Sequence, residues 1–119
     1  MTRVKRSVHS RKKRRATLAR AKGYRGEAHS SYKRAKEALL KADQYAYRDR
    51  RTRKRDFRRL WIQRINAAAR REGMSYSQVM HGLKLAGVEL DRKILADIAV
   101  RDADTFRRFA ERAREASAS

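Results

Sequence analysis

From Arg48 to Arg59 the chain reads as a dense set of cations: Arg48, Arg50, Arg51, Arg53, Lys54, Arg55, Arg58 and Arg59. Seven of the eight are arginines. A guanidinium is a planar fork that holds a phosphate through two parallel hydrogen bonds or stacks on a base, which a lysine point charge cannot do. Four tyrosines, Tyr24, Tyr32, Tyr45 and Tyr47, are interleaved with these and other cations. Their rings offer surfaces on which exposed bases stack. Further basic residues precede them: Arg3, Lys5 and Arg6, the run Arg11, Lys12, Lys13, Arg14 and Arg15, then Lys22 and Arg25. The chemistry this pattern supports is the binding of a polyanion with accessible bases.

Bond-making chemistry finds no comparable set of residues. His9, His29 and His81 are scattered, with no carboxylate at ligand or proton-transfer spacing, and cysteine is absent. Gly23-Tyr24-Arg25-Gly26 lacks the length and the Lys-Ser/Thr ending of a phosphate-binding loop, so it reads as a turn. No catalytic residue, metal site, cofactor or small-molecule substrate is expected, and the protein is not expected to be an enzyme.

The elements that position the cations follow from charge and from the helix breakers. With 34 Lys+Arg against 13 Asp+Glu, the formal net charge is +21. A body of 119 residues with that excess repels itself unless a polyanion supplies the counter-charge. Residues 1–59 hold 23 basic and 5 acidic side chains, net +18, while residues 60–119 are close to balanced at net +3. The division suggests a basic arm, 1–59, followed by a small globular helical domain, 60–119. Proline is absent, and no glycine falls between Ser31 and Glu72. Nothing there obliges a helix to stop. Ser30 or Ser31 can cap its start and Gly73 can close it, giving a helix to about residue 72 of roughly 60 Å.

On that helix the cations from Arg48 to Arg59 spread over roughly two thirds of the circumference, at about 100° per residue. Thr52, Asp49 and Asp56 occupy the rest. One flat phosphate surface needs only a stripe; charge over most of the circumference suits a helix threaded between several nucleic-acid segments. Lys41 to Arg59 offers few core candidates, mainly Tyr45, Tyr47 and Phe57, so an outside partner must help to hold it. Residues 1–30, with a short helix and a turn at Gly23–Gly26, are expected to be flexible without that partner.

The second half shows apolar residues at helical spacing: Trp61, Ile65 and Ala68 or Ala69, then Val79 and Leu83, then Ile94, Leu95 and Ile98, and last Phe106, Phe109, Ala110 and Ala113. Ser75-Tyr76-Ser77-Gln78 matches a capping box, Gly87 follows the second stripe, and Asp91 and Asp102 stand where N-caps belong. The expected class is all-α: a long basic N-terminal helical arm followed by a small C-terminal bundle, three short helices packing on the end of the long one. Trp61, at the junction, suits either the core or an RNA contact.

The apolar runs, such as Ile94-Leu95-Ala96, fall far short of the roughly 20 residues that cross a bilayer, and no apolar segment follows Met1-Thr2-Arg3-Val4-Lys5-Arg6 as a secretory signal requires. A cytoplasmic protein with no membrane partner is expected. A basic amphipathic helix acting at membranes is disfavoured because Lys41 to Arg59 has no coherent apolar face. A DNA-compacting architectural protein, which also pairs a basic arm with a helical body, remains the alternative that charge alone does not separate.

Specific segments carry a further signal. Ala21-Lys22-Gly23-Tyr24-Arg25-Gly26 and the run QYAYRDRRTRKRDFRRLWIQRINAAAR from Gln44 to Arg70 closely resemble the bacterial large-subunit ribosomal protein L-twenty family. The likeness continues through Ser75-Tyr76-Ser77, Gly82-Leu83-Lys84 and LDRKILADIAV from Leu90 to Val100. The resemblance implies an arm buried among large-subunit ribosomal RNA helices, a C-terminal domain docked on the same RNA, and neighbouring large-subunit ribosomal proteins. It further implies a role in early subunit assembly and, as in some members, repression of the protein's own messenger RNA.

Overall fold

The computed structural model describes Arg3 and residues 5–119; Met1, Thr2 and Val4, part of the N-terminal segment expected to be flexible, lie outside the described residues. Five α-helices account for most of the chain: α1 Ser7–Arg20, α2 Tyr32–Arg71, α3 Tyr76–Leu85, α4 Arg92–Arg101 and α5 Ala103–Ala118. A short 3₁₀ turn, Gly26–His29, lies between α1 and α2. No strand occurs among the described residues, and the class is all-α as expected.

The 40-residue α2 begins and ends where local chemistry directs. The Ser31 carbonyl accepts the first main-chain bond, from the Ala35 N–H at 2.8 Å. At the other end Gly73 takes φ +77°, a left-handed conformation that costs a residue with a Cβ. The Met74 N–H then bonds the Ala69 carbonyl at 3.0 Å and the Gly73 N–H bonds Arg70 at 3.1 Å, a paired closure of the last turn. Gly87, at φ +75°, closes α3 in the same way, with Val88 bonding Leu83.

The other expected starts are also present. Ser75 and Gln78 exchange both bonds of a capping box, Oγ accepting from the Gln78 N–H at 3.3 Å and Oε1 from the Ser75 N–H at 2.9 Å. Asp91 accepts from the Ile94 N–H at 2.8 Å, and Asp102 from the Thr105 N–H at 3.1 Å. Such caps contribute about 1 kcal/mol each by satisfying donors that the helix itself leaves open.

The chain divides into two compact units, Met1–Arg51 and Thr52–Ser119, with the division falling inside α2. In the first, Ala21, Ala35 and Leu39 are buried, with Leu18 and Tyr24 packed against them. This small cluster ties the end of α1 to the first turns of α2. No residue within α1 itself is buried. In the second unit Ile65, Ala68, Ala69, Met74, Val79, Leu83, Leu95, Ala96, Ala99, Phe106, Ala110 and Ala113 form one core.

One apolar stripe needs correction. Leu95 is 1% exposed, but Ile94 is 47% exposed and faces out. Adjacent helical residues stand about 100° apart, so the run Ile94-Leu95-Ala96 cannot all face inward. α4 turns Leu95, Ala96 and Ala99 to the core and leaves Ile98 half-buried. α3 packs chiefly on α5, and its Gly82 is buried directly against Ala113: a Cβ at Gly82 would lie 2.6 Å from that of Ala113. Only a residue with no side chain allows that approach.

Candidate nucleic-acid interface

Because α2 is unbroken from Tyr32 to Arg71, every cation between Arg48 and Arg59 sits at a helical register position, and each is exposed. Arg48 pairs with the adjacent Asp49, Nε to Oδ1 at 3.0 Å. Among the described residues no ion pair engages Arg50, Arg51, Arg53, Lys54, Arg55, Arg58 or Arg59. An exposed cation without a partner keeps its full capacity for an external phosphate.

The earlier cations are placed as follows. Arg3, Lys5 and Arg6 precede α1, whose first main-chain bond the Arg6 carbonyl accepts from Ser10. Arg11, Lys12, Lys13, Arg14 and Arg15 lie in α1, and Lys22 and Arg25 flank Gly23, which takes φ +87° in the turn after α1. All are exposed. Near the turn, His29 Nδ1 lies 3.1 Å from the Tyr24 carbonyl oxygen.

The tyrosines are used less uniformly than their spacing suggests. Tyr24 is half-buried on the first unit's apolar cluster. Tyr32 is also half-buried, with the Arg14 guanidinium 5.4 Å from its ring centre. Tyr45 and Tyr47 are exposed. Arg48 lies 4.7 Å and Lys41 Nζ 5.8 Å from the Tyr45 centre, and Arg51 lies 4.8 Å from that of Tyr47. Such contacts are worth about 0.5–1 kcal/mol at exposed sites and keep flat guanidinium and ring surfaces together.

Several cations absent from the expected set are equally exposed: Lys33, Arg34, Lys36 and Lys41 on α2, and Arg64 and Lys93 in the second unit. Lys33, Arg34 and Lys36 form a short run that the sequence already displays, whereas Lys41, Arg64 and Lys93 stand singly. Arg20, also left out, donates to Asp43 at 2.6 Å. That hydrogen bond, and then the charge of Asp43, raises the Arg20 guanidinium above its ordinary value. Its role is to latch α1 to α2.

No group of three or more metal-ligating side chains occurs among the described residues, and no helix there is long and apolar enough to cross a membrane. The arrangement defines a class of protein: small, all-helical and strongly basic, with its densest run of cations displayed along one uninterrupted helix instead of gathered around a reactive pocket.

Within that class the sequence comparisons identify the family. The model described as Ribosomal protein L20 matches residues 3–109, and the chain belongs to this family. Among curated relatives, a protein named large ribosomal subunit protein bL20 from Rubrobacter xylanophilus is 60% identical over 116 residues, covering 98% of this chain and 87% of the relative. Its namesake from a Roseiflexus species is 63% identical, over 98% of this chain and 99% of the relative. That from Lactococcus lactis subsp. cremoris is 58% identical, over 99% of each. Members of this family are structural proteins, and the chain is not an enzyme.

Proposed function

We propose that this protein is a structural constituent of the bacterial large ribosomal subunit, acting in the cytoplasm by binding large-subunit ribosomal RNA and promoting early subunit assembly. The observation that carries the reading is the stretch of α2 from Arg48 to Arg59: a continuous helix, exposed at every cation, whose charge is left almost wholly unneutralised by its own chain. Its relatives are named as large-subunit ribosomal proteins, which supplies the polyanion.

In this reading residues 1–59 are the arm that lies among RNA segments, and residues 60–119 are the module that fixes its entry point. The contacting residues are those the sequence singles out: the cations from Arg3 to Arg25 named above, the eight from Arg48 to Arg59, and the four tyrosines. Arginines neutralise crowded phosphates, and Tyr45 and Tyr47 stack beside them. Self-repulsion in the free arm is relieved when RNA arrives, so ordering of the arm accompanies binding, and RNA segments drawn to one helix are brought close to each other. That is how such a chain assists assembly without catalysis. Neighbouring ribosomal proteins are further partners.

The test compares binding of the full chain, at near-physiological salt, to a large-subunit ribosomal RNA fragment and to random duplex DNA of equal length. A strong RNA preference is expected. Equal affinity with equal salt dependence would leave only phosphate attraction and favour an architectural DNA-binding protein.

A further inference from the structure

The second unit carries a site that joins two cations of the basic run, Lys54 and Arg58, to residues outside it. Two adjoining clefts, of about 380 and 540 Å³, share Trp61, Asp91 and Lys93. The first is completed by Lys54, Arg58 and Arg92, the second by Arg64, Ile94 and Asp97. They combine a half-buried indole, an outward-facing isoleucine and five cations. Phe57, 48% exposed, stacks on Trp61 with ring centres 6.2 Å apart and planes 26° from parallel.

The two carboxylates in the clefts are already engaged. Asp91 caps α4 through the Ile94 N–H, and Asp97 pairs with Arg101 at 2.9 Å. Arg92 is held by Tyr76, its Nε donating to the phenol oxygen at 2.7 Å. By contrast, the side chains of Lys54, Arg58, Arg64 and Lys93 have no hydrogen bond or ion pair among the described residues. The clefts therefore present unneutralised positive charge around an aromatic and aliphatic wall.

We infer that Trp61 and the cations Lys54, Arg58, Arg64 and Lys93 form a subsite for a single nucleotide turned out of an RNA strand, with the base against Trp61 and Ile94 and its flanking phosphates on the cations. A turned-out nucleotide supplies a flat π surface between two anions; an acidic peptide without aromatic residues satisfies the cations but leaves the indole and isoleucine unmatched. The volumes suit it, since sites for small ligands begin at about 300 Å³. The subsite rests on the RNA-binding reading above and adds to it a base contact at Trp61, where Lys54 and Arg58 of the basic run meet Arg64 and Lys93.

Trp61 is the chain's single tryptophan, so its fluorescence reports this subsite alone. The experiment titrates the full chain with three dye-labelled probes of equal length: a short single-stranded RNA of mixed sequence, the corresponding abasic ribose-phosphate chain, and an oligoglutamate peptide. Binding is followed by anisotropy and stacking by quenching of Trp61. Both nucleic-acid chains are expected to bind, with only the base-bearing RNA quenching. Lys93→Gln, an exposed substitution, is expected to move the quenching midpoint about two- to fivefold to higher RNA concentration. Trp61→Leu is expected to weaken the base-bearing RNA by about five- to hundredfold and the abasic chain little. Binding of both chains with no quenching, or with equal quenching, overturns the subsite and leaves the phosphate-binding arm intact. Equal quenching by oligoglutamate overturns it in favour of a protein contact. Failure of both nucleic-acid chains to bind overturns the RNA-binding reading and the subsite with it.

Discussion

The same helix serves two units that are stabilised in different ways. Before Arg51, α2 contributes only Ala35 and Leu39 to a small buried cluster, and the side chains around its remaining surface are largely charged. After Thr52 it contributes Ile65, Ala68 and Ala69 to a core shared by four helices. Charge follows the opposite gradient: residues 1–51 hold 18 basic and 4 acidic side chains, net +14, and residues 52–119 hold 16 and 9, net +7. Burial and charge are alternatives here: a surface dense in cations gains little apolar contact of its own, whereas a segment with less excess charge closes on itself. The first unit buries only a small cluster of its own, and the second a core of twelve residues.

The comparison breaks most visibly at the centre of the second core. Phe106, 2% exposed, is expected to cost about 3–5 kcal/mol when replaced by alanine, read from urea unfolding of the full chain. Leu95→Ala should cost about 2–5 kcal/mol, whereas Ile94→Ala on the neighbouring exposed position should cost under about 1 kcal/mol. Equal losses at Leu95 and Ile94 would contradict the orientation of α4. Gly82→Ala, which sets a methyl against Ala113, should cost about 1–3 kcal/mol because α3 and α5 must separate.

In the first unit the expected pattern reverses. Arg51→Ala should leave unfolding of the second unit within about 0.5 kcal/mol of the parent, since Arg51 is exposed. It should weaken RNA binding and lower the salt slope by about one. An unchanged slope would remove Arg51 from phosphate contact.

The smallest effect concerns pH. The hydroxyl and then the main-chain N–H of Thr105 donate to Asp102 and hold its carboxyl below the ordinary aspartate value. A folded-state value below the unfolded one stabilises the protein above the ordinary aspartate range, and the contribution is lost as pH falls through the folded value. The stability difference between the parent and Asp102→Asn should therefore be present at neutral pH and narrow in acid. A difference that grows on acidification would show the opposite sign of shift.

Much of this molecule was legible before folding. The long helix and its Gly73 stop, the capping box at Ser75 and Gln78, the caps at Asp91 and Asp102, and three of the four apolar stripes all appear where the sequence puts them. The exposed cations were legible as well, because a charge imbalance needs no fold to be counted. Less was visible of the cluster of Ala21, Ala35 and Leu39, two of whose members are alanines too small to stand out in a hydrophobic pattern. Around Trp61, Lys54, Arg58 and Arg64 are near in sequence, and only the approach of Lys93 was hidden, because it lies 32 positions away on another helix.

The sequence by itself determined what depends on near neighbours or on sums: helix starts and stops, set by bonds spanning three to five residues, and the need for a polyanionic partner, set by net charge. Only the tertiary structure decided which of Ile94, Leu95 and Ala96 faces the core, why residue 82 must be glycine, and which open end of α2 is closed by α5. There Arg114 donates to the Glu72 carbonyl at 2.6 Å and Arg107 pairs with the Glu72 carboxylate at 3.4 Å. These contacts join residues 35 to 42 positions apart, whose encounter is governed by how whole helices pack, and no local pattern contains that information.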